Sequence, residues 1–489
     1  MNVTKERLNK FEVEKGKESF TVKDLFLKKY GWRWVWTVGV AGILSLIFLF
    51  PFIPGISFVS QAGMVVLIGF FTALLLVYLS RYWPQFLSPK FLLLSAILIT
   101  STSLIGRIII LVPQIPYVFI PMAFLSILIS LLFAPSLSTI ITVWLSIYFA
   151  LSASSLEILP VLVIGGMVGI YSAQFVHQRT DLTKGGVYVG LANGLTILAV
   201  GLFYNQSLSE IASLVLWGIG SGLFSSILVM TILPYLETYF GLITDIKLLE
   251  LSNLNLPFLK RLSIEAPGTY HHTLMVANLA EAGAETIGAN SLLTRVGAYY
   301  HDIGKTIRPH FFFENSSLGE DDHHGKVSPN LSSTIIISHV KDGVEMAQKN
   351  KLPPAVIDII REHHGRSLIA YFYRKALKNS TLDKKEEIDE EGFRYPGPQP
   401  QSKEAALIML ADSVEAAFRF SPQKTVKSIE AQVEKVINNK LKDRQLDRCD
   451  LTLREIRKIA EAFTRILAGF IHTRGRYPEE ILKGQTMLD

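Results

Sequence analysis

The order of apolar and polar positions divides this chain into two stretches. From Trp34 to Leu233, long apolar runs alternate with short breaks. Only eight charged residues interrupt them: Arg81, Lys90, Arg107, Glu157, Arg179, Asp181, Lys184 and Glu210. After Pro234 charges become frequent, and apolar residues recur at helical spacing, as in Leu274, Val276, Leu279 and Ala280 or Val356, Ile359 and Ile360. The first pattern predicts helices in a hydrocarbon core. The second predicts a water-soluble helical domain large enough to bury a core of its own.

Eight runs are long enough, or nearly so, to cross about 30 Å of hydrocarbon. The first is Trp34–Phe50, which Pro51-Phe-Ile-Pro-Gly55 follows in place of a small-residue cleavage site, so it reads as a retained helix. The others lie near 62–80, 91–112, 117–133, 137–153, 156–176, 187–204 and 210–232. The pair around Ala134-Pro135-Ser136 reads either as two spans or as a re-entrant hairpin. Residues 1–33 form a polar, basic tail, and 234–263 a connector whose stretch Leu236–Leu251 is amphipathic.

Charge supplies the orientation. With the tail inside, the inner connections carry Arg81, Lys90, Arg179 and Lys184. The outer ones, 51–61, 113–116, 154–157 and 205–210, carry no Lys or Arg and include Glu157 and Glu210. Basic residues favour the cytoplasmic face, so the tail and C-terminal domain are expected there, at the plasma membrane. The overall balance of +6 reflects the tail and that face; no DNA or RNA polymer is expected as a partner. Arg107 is the one charge deep in a span, read as paired within the bundle or snorkelling outward. Composition agrees: the 489 residues are 49% hydrophobic, with a mean hydropathy of +0.33. The lone Cys449 excludes an intrachain disulfide framework.

The candidate chemistry lies in the second stretch. Of eleven histidines only His177 precedes it. His272 opens an apolar-periodic helix, and His301-Asp302 end a second. His339 sits in Ile335-Ile-Ile-Ser-His-Val340, and His363-His364 close a further helix. Asp412 lies in an apolar helix, Ala405 to Glu415, where a lone carboxylate is costly unless paired or ligated. Seven N and O donors with no thiolate suit a dinuclear site of borderline or hard divalent metals, Mn or Fe, better than structural zinc. Each residue alone has an ordinary structural explanation; the joint pattern on five helical segments does not.

That pattern resembles the HD phosphohydrolase superfamily, with its His, His-Asp pair and later Asp. The wording is closer still to the seven-transmembrane-receptor HD family, the PgpH-type cyclic di-AMP phosphodiesterases. The matching stretches are Glu265-Ala-Pro-Gly-Thr-Tyr-His-His-Thr-Leu-Met-Val-Ala-Asn-Leu-Ala-Glu281, His301-Asp-Ile-Gly-Lys305, Ile337-Ser-His-Val-Lys-Asp-Gly343, His363-His-Gly365 and Ala411-Asp-Ser-Val-Glu-Ala416. The resemblance implies an all-α chain: a polytopic transmembrane bundle of about eight helices over 34–233, then a cytoplasmic all-helical HD domain over 264–480. It carries onto His272, His301, Asp302, His339, His363, His364 and Asp412 as metal ligands. His271 is the rival for the first position, while His310, His323, His324 and His472 match none.

The resemblance further implies a membrane-bound enzyme hydrolysing cyclic di-AMP to linear pApA, with Asp302 bridging two metals and a hydroxide shared by them as the attacking group. Lys305 is a candidate catalytic and phosphate-binding residue. The expected partners are a cyclic dinucleotide and the lipid bilayer; oligomeric state is left open, a homodimer included. Only about ten residues, Pro51–Gln61, stand where the family usually carries an extracellular domain. Hydrolysis of cyclic di-GMP is less well supported, because Arg366-Ser-Leu-Ile follows His363-His-Gly365 where those enzymes place Gly-Tyr-Pro. A (p)ppGpp-type hydrolase fits less well too, since such enzymes normally lack the set of His339 and His363-His364. A receptor whose HD domain only binds nucleotide is disfavoured by intact ligands at all seven positions.

Overall fold

The computed structural model describes residues 57–82, 89–112, 114–176, 178–315, 324–379, 388–421 and 425–472; the basic tail and the run Trp34–Phe50 lie outside them. The chain forms two compact units, Met1–Ile246 and Lys247–Asp489. Among the described residues there is no strand, and the extended pairing is the isolated bridge Leu368–Arg394.

The first unit contains α1 (Phe58–Tyr82), α2 (Pro89–Leu111), α3 (Met122–Leu132), α4 (Pro135–Ser152), α5 (Ile158–Ala173), α6 (Asp181–Phe203) and α7 (Leu208–Phe240). Among the described residues, four helices are long and apolar enough to cross a membrane: Lys90–Leu111, Pro135–Ser152, Asp181–Phe203 and Leu208–Phe240. Two of the runs read as spans make shorter helices. α3 has 11 residues and α5 has 16, about 16 and 24 Å at 1.5 Å per residue, against about 30 Å of hydrocarbon. Proline is the cause around α3. Pro121 stands at its N-cap and Pro135 opens α4, and a proline nitrogen cannot donate to a preceding turn. α3 is buried along nearly its whole length. Its Ser126 bonds the Thr142 hydroxyl at 2.7 Å, and Ser138 donates to the Ser126 carbonyl at 2.6 Å.

α6 and α7 pack through their glycines. A Cβ on Gly222 would stand 2.4 Å from the Gly190 amide nitrogen, and one on Gly186 would stand 2.2 Å from the Ser226 hydroxyl. Small residues permit this backbone contact, which supplies helix association where lipid gives no hydrophobic drive. Arg107 is buried in the bundle, 4% exposed, rather than reaching outward.

The exit from the apolar region differs from the sequence reading. Pro234 does not break the helix; it lies inside the 33-residue α7. The Thr238 hydroxyl donates to the Pro234 carbonyl at 2.8 Å. The helix stops at Gly241, whose φ of 54° suits glycine. The stretch Leu236–Leu251 is therefore two helices, the end of α7 and α8 (Asp245–Leu251), not one amphipathic element. Glu237, buried on the last turns of α7, accepts from Arg179 at 3.2 Å and from the Thr244 hydroxyl.

The second unit holds α9 (Pro257–Glu265), α10 (Pro267–Ile287), α11 (Ser291–Tyr300), α12 (Pro329–Lys349), α13 (Pro354–Glu362), α14 (Ala370–Asn379), α15 (Lys403–Arg419), α16 (Val426–Lys442) and α17 (Leu453–His472). α15 is its core helix: every residue from Ala405 to Ala411 is fully buried. The starts of α11, α12 and α15 are fixed by Asn290, Ser328 and Ser402, whose side chains accept from the first-turn amides. α10, α11 and α13 pack around α15. Gly283 sits against Leu407 and Phe463, and Gly297 against Ile359 and Ile408.

Candidate metal centre

The seven candidate residues come from five places and meet at one point. His272 lies in the second turn of α10 and His339 in the middle of α12. His301 caps α11 and His363 caps α13. Asp302 and His364 follow those caps directly, and Asp412 lies on α15. Their donor atoms form two groups, each within 4.8 Å: Asp302 with His339, His363 and His364, and His272 with His301 and Asp412.

Asp302 stands between the groups. Its Oδ2 lies 3.1 Å from His301 Nε2 and 3.7 Å from His272 Nε2. Its Oδ1 lies 3.2 Å from His339 Nε2 and 3.8 Å from His363 Nε2. Asp412 closes both ends, Oδ1 at 3.0 Å from His272 Nε2 and Oδ2 at 3.5 Å from His364 Nδ1. Donors bound at about 2.1 Å to a shared ion stand roughly 3 Å apart, so these separations are those of ligand sets.

Backbone carbonyls aim three of the rings. His301, His339 and His363 each place Nδ1 on the carbonyl three residues earlier, Ala298, Ile336 and Ile360, at 2.7, 2.6 and 2.8 Å. With Nδ1 holding the proton, Nε2 presents its lone pair inward. His272 is aimed by a carboxylate instead, with Nδ1 2.6 Å from Glu415 Oε2. Glu415 is in turn gripped by Arg419 at 2.8 Å.

The electrostatics suit cation binding. Burial alone would raise the Asp302 carboxyl, but His301 and Lys305 hold it well below the usual range. Asp412 is likewise held low by His272 and His364 against its burial. Burial and the neighbouring His301 push His363 down to about 3, and burial with His363 pushes His364 well down. These are neutral imidazoles beside ionised carboxylates, the protonation states of ligands. His272 is the exception: burial would lower it, but Asp412 and Glu415 raise it to about 10.

The orphaned atoms test the fit. Among the described residues, His301 Nε2 and Asp302 Oδ1 are fully buried with no well-directed hydrogen bond, and Asp302 Oδ2 meets only the Lys305 ammonium besides the rings. Leaving such atoms unsatisfied costs about 1–3 kcal/mol each, more when charged. An all N and O donor set with a carboxylate facing both ways fits two divalent ions. Lys305 is buried against this centre, its Nζ 2.7 Å from Asp302 Oδ2 and 2.8 Å from Glu314 Oε1.

The remaining histidines stay out. His271 is exposed and is in neither donor group. His324 bonds the Phe311 carbonyl at 2.7 Å and packs on Phe372. His310 is exposed. His323 and the side chain of His472 lie outside the described positions. Three residues that sequence reasoning missed border the site: Glu415, Glu314 and Tyr395, whose ring stacks on His364 at 4.2 Å. Glu415 had a signal, since it follows Asp412 by three and shares its helix face. A groove of about 400 Å³ opens onto His272 between His271, Met275, Phe313 and Arg419.

An apolar helical bundle followed by an all-α unit with this His/Asp cluster defines a membrane protein bearing an HD-type hydrolase domain. Comparison with known proteins gives the same answer. Residues 58–244 match the family described as "7TM receptor with intracellular HD hydrolase", and residues 269–417 match the HD domain. The two matches follow one another in the order that the family's description gives, a membrane region and then an HD hydrolase. Relatives include cyclic-di-AMP phosphodiesterase PgpH of Bacillus subtilis, 40% identical over 436 residues, 86% of this chain and 60% of that protein. The PgpH of Listeria monocytogenes is 41% identical over 321 residues, 65% of this chain and 44% of that protein. The crystal structure of the latter's HD domain is 47% identical, covers 45% of this chain and 100% of its own, and has a TM-score of 0.42. The chain thus spans about half of the length of these curated relatives.

Proposed function

We propose that this chain is a membrane-bound, metal-dependent phosphodiesterase that hydrolyses cyclic di-AMP to linear pApA. The observation that carries the reading is Asp302, buried between two groups of ligand-type side chains with one oxygen toward each. The names of the B. subtilis and L. monocytogenes relatives support the choice of substrate.

In this reading His272, His301 and Asp412 would hold one divalent ion and His339, His363 and His364 a second, with Asp302 offering an oxygen to each group. Manganese or iron fits the donor set. Such ions would supply a nucleophile from water at neutral pH and offset charge on the phosphoryl oxygens. The protein's part is positioning. The four aimed rings and Asp302 would fix the ions, and Lys305 beside them would help hold the phosphodiester so that water attacks phosphorus in line with the 3′-oxygen. That P–O bond breaks, leaving a 3′-hydroxyl on one nucleoside and a 5′-phosphate on the other. Lys305 stays cationic, since Asp302 and Glu314 outweigh the effect of its burial. It holds Asp302 in place and offers a positive charge to the phosphate.

The basic inner connections support a cytoplasmic site on the plasma membrane, where a cyclic dinucleotide is available. The test is turnover of cyclic di-AMP, cyclic di-GMP and (p)ppGpp by the solubilised full chain with Mn²⁺, beside His301→Ala. Conversion of cyclic di-AMP to pApA, abolished by the substitution, is the expected result. Preference for either other nucleotide would move the substrate assignment. No turnover of any would leave a nucleotide-binding receptor.

A further inference from the structure

One ring of the cluster is held differently from the rest. Among the described residues, His301, His339 and His363 are anchored by carbonyls and His272 by Glu415, whereas the ring of His364 has no such anchor. It faces Asp412 through Nδ1 at 3.5 Å. Its plane lies against Tyr395, with ring centroids 4.2 Å apart and planes 29° from parallel, and His363 sits 4.1 Å away at 43°. Tyr395 also meets His339 edge-on at 6.1 Å.

Tyr395 itself is firmly placed. Its amide donates to the Ser367 carbonyl at 3.1 Å, and the Ile369 amide donates to the Phe393 carbonyl at 2.9 Å, which pairs 393–395 with 367–369 just beyond His364. Next door, Arg394 grips Asp443 at 3.0 Å, Glu390 at 2.8 Å and the Arg366 carbonyl at 2.8 Å. The ring is buried, 7% exposed. Aromatic pairs in offset contact contribute about 0.5–1.5 kcal/mol beyond area burial, and they fix ring orientation.

We infer that Tyr395 is a positioning residue for the metal centre, orienting His364 by its ring face where the other histidines use a hydrogen bond. This rests on the two-metal reading above. Loss of an outer-shell partner of a ligating His lowers metal affinity by about 10–100-fold, and the loss should fall on one ion, the one His364 serves.

The experiment titrates Mn²⁺ into the solubilised full chain and follows free Mn²⁺ by electron paramagnetic resonance, for wild type, Tyr395→Phe and Tyr395→Leu. The wild type is expected to bind two ions. Tyr395→Leu, with similar bulk and no ring, should keep one ion at wild-type affinity and bind the other at least about tenfold more weakly. Tyr395→Phe should restore both to within about twofold. The inference is overturned if Tyr395→Leu binds both ions like wild type, if Tyr395→Phe fails as Tyr395→Leu does, or if Tyr395→Leu loses both ions together with a lowered Tm. A wild type that binds fewer than two ions would instead sink the two-metal reading itself.

Discussion

Gly304 allows the turn after His301-Asp302 to touch the helix that carries His339, and Gly304→Ala should break the centre without breaking the domain. A Cβ there would stand 2.0 Å from the His339 carbonyl oxygen and 2.6 Å from the Gly343 amide nitrogen. Both obstacles are backbone, so no side chain can swing aside. Ordinary contact requires the turn and α12 to part by about 1 Å or more, and a misplacement of that size at a reacting centre costs on the order of 100-fold in rate. The strain itself is about 1–3 kcal/mol, typical of overpacking, which a domain with a well-filled core survives. The displaced pair is Asp302 and His339, now 3.2 Å apart. Gly343→Ala is the control. Its Cβ would meet the Ile360 methyl at 3.1 Å and the Gly304 amide at 3.4 Å, a crowding that a side chain can relieve. The assay is cyclic di-AMP turnover and bound Mn²⁺ in the solubilised chain, with a thermal melt for each variant. Gly304→Ala should lose about 100-fold in turnover and one metal equivalent, and Gly343→Ala less than about tenfold. Wild-type turnover in Gly304→Ala, or a larger loss in Gly343→Ala, would refute the reasoning.

Further outcomes follow from other contacts. Glu415→Gln removes the charge that aims His272 and should weaken one of the two metal sites about 10–100-fold, read by the same titration; unchanged affinity would show that His272 needs no anchor. His272 is raised from 6.5 to about 10 in the metal-free site, against the pull of burial, by Asp412 and Glu415. Its protonated form therefore stabilises the metal-free chain fully below 6.5, and that contribution fades as pH rises through about 10. Metal needs the neutral ring, so binding at pH 7.5 should release a proton, and affinity at that site should fall by up to about tenfold per unit as pH drops. Calorimetry in two buffers of different protonation enthalpy reads the release; equal heats would contradict it. In the bundle, Gly222→Ala meets the Gly190 backbone at 2.4 Å while Gly220→Ala meets nothing within 4 Å. Only the first should lower the Tm in detergent, and equal effects would count against close α6–α7 packing.

The sequence carried the ligand-type residues better than the frame around them. His301-Asp302 and Asp412 stand in short motifs whose residue types have few other uses together, so their convergence was legible without coordinates. Glu314 was not, because it lies in a single 3-10 turn, Phe313–Asn315, too short to show periodicity, and meets Lys305 only through the fold. Tyr395 belongs to the Arg394-Tyr-Pro-Gly397 stretch, which lies well past the histidine pair in the chain and reads as a separate element. A pairing with 367–369 returns it to the site, and no local pattern encodes such a pairing. In the bundle, apolar runs located the helices but not their lengths. Hydropathy cannot distinguish a full span from the buried, proline-bounded α3, and it does not show that α7 runs on through Pro234.

The central claim is that Asp302 joins two metal ions held by the other six residues. Its most direct test is electron paramagnetic resonance of the Mn²⁺-loaded chain together with a metal count, in wild type and Asp302→Ala. The account predicts two ions per chain with an exchange-coupled spectrum in the wild type, and loss of both coupling and cyclic di-AMP turnover in Asp302→Ala. Two uncoupled ions in the wild type, or an Asp302→Ala chain that keeps the coupled spectrum, would contradict it.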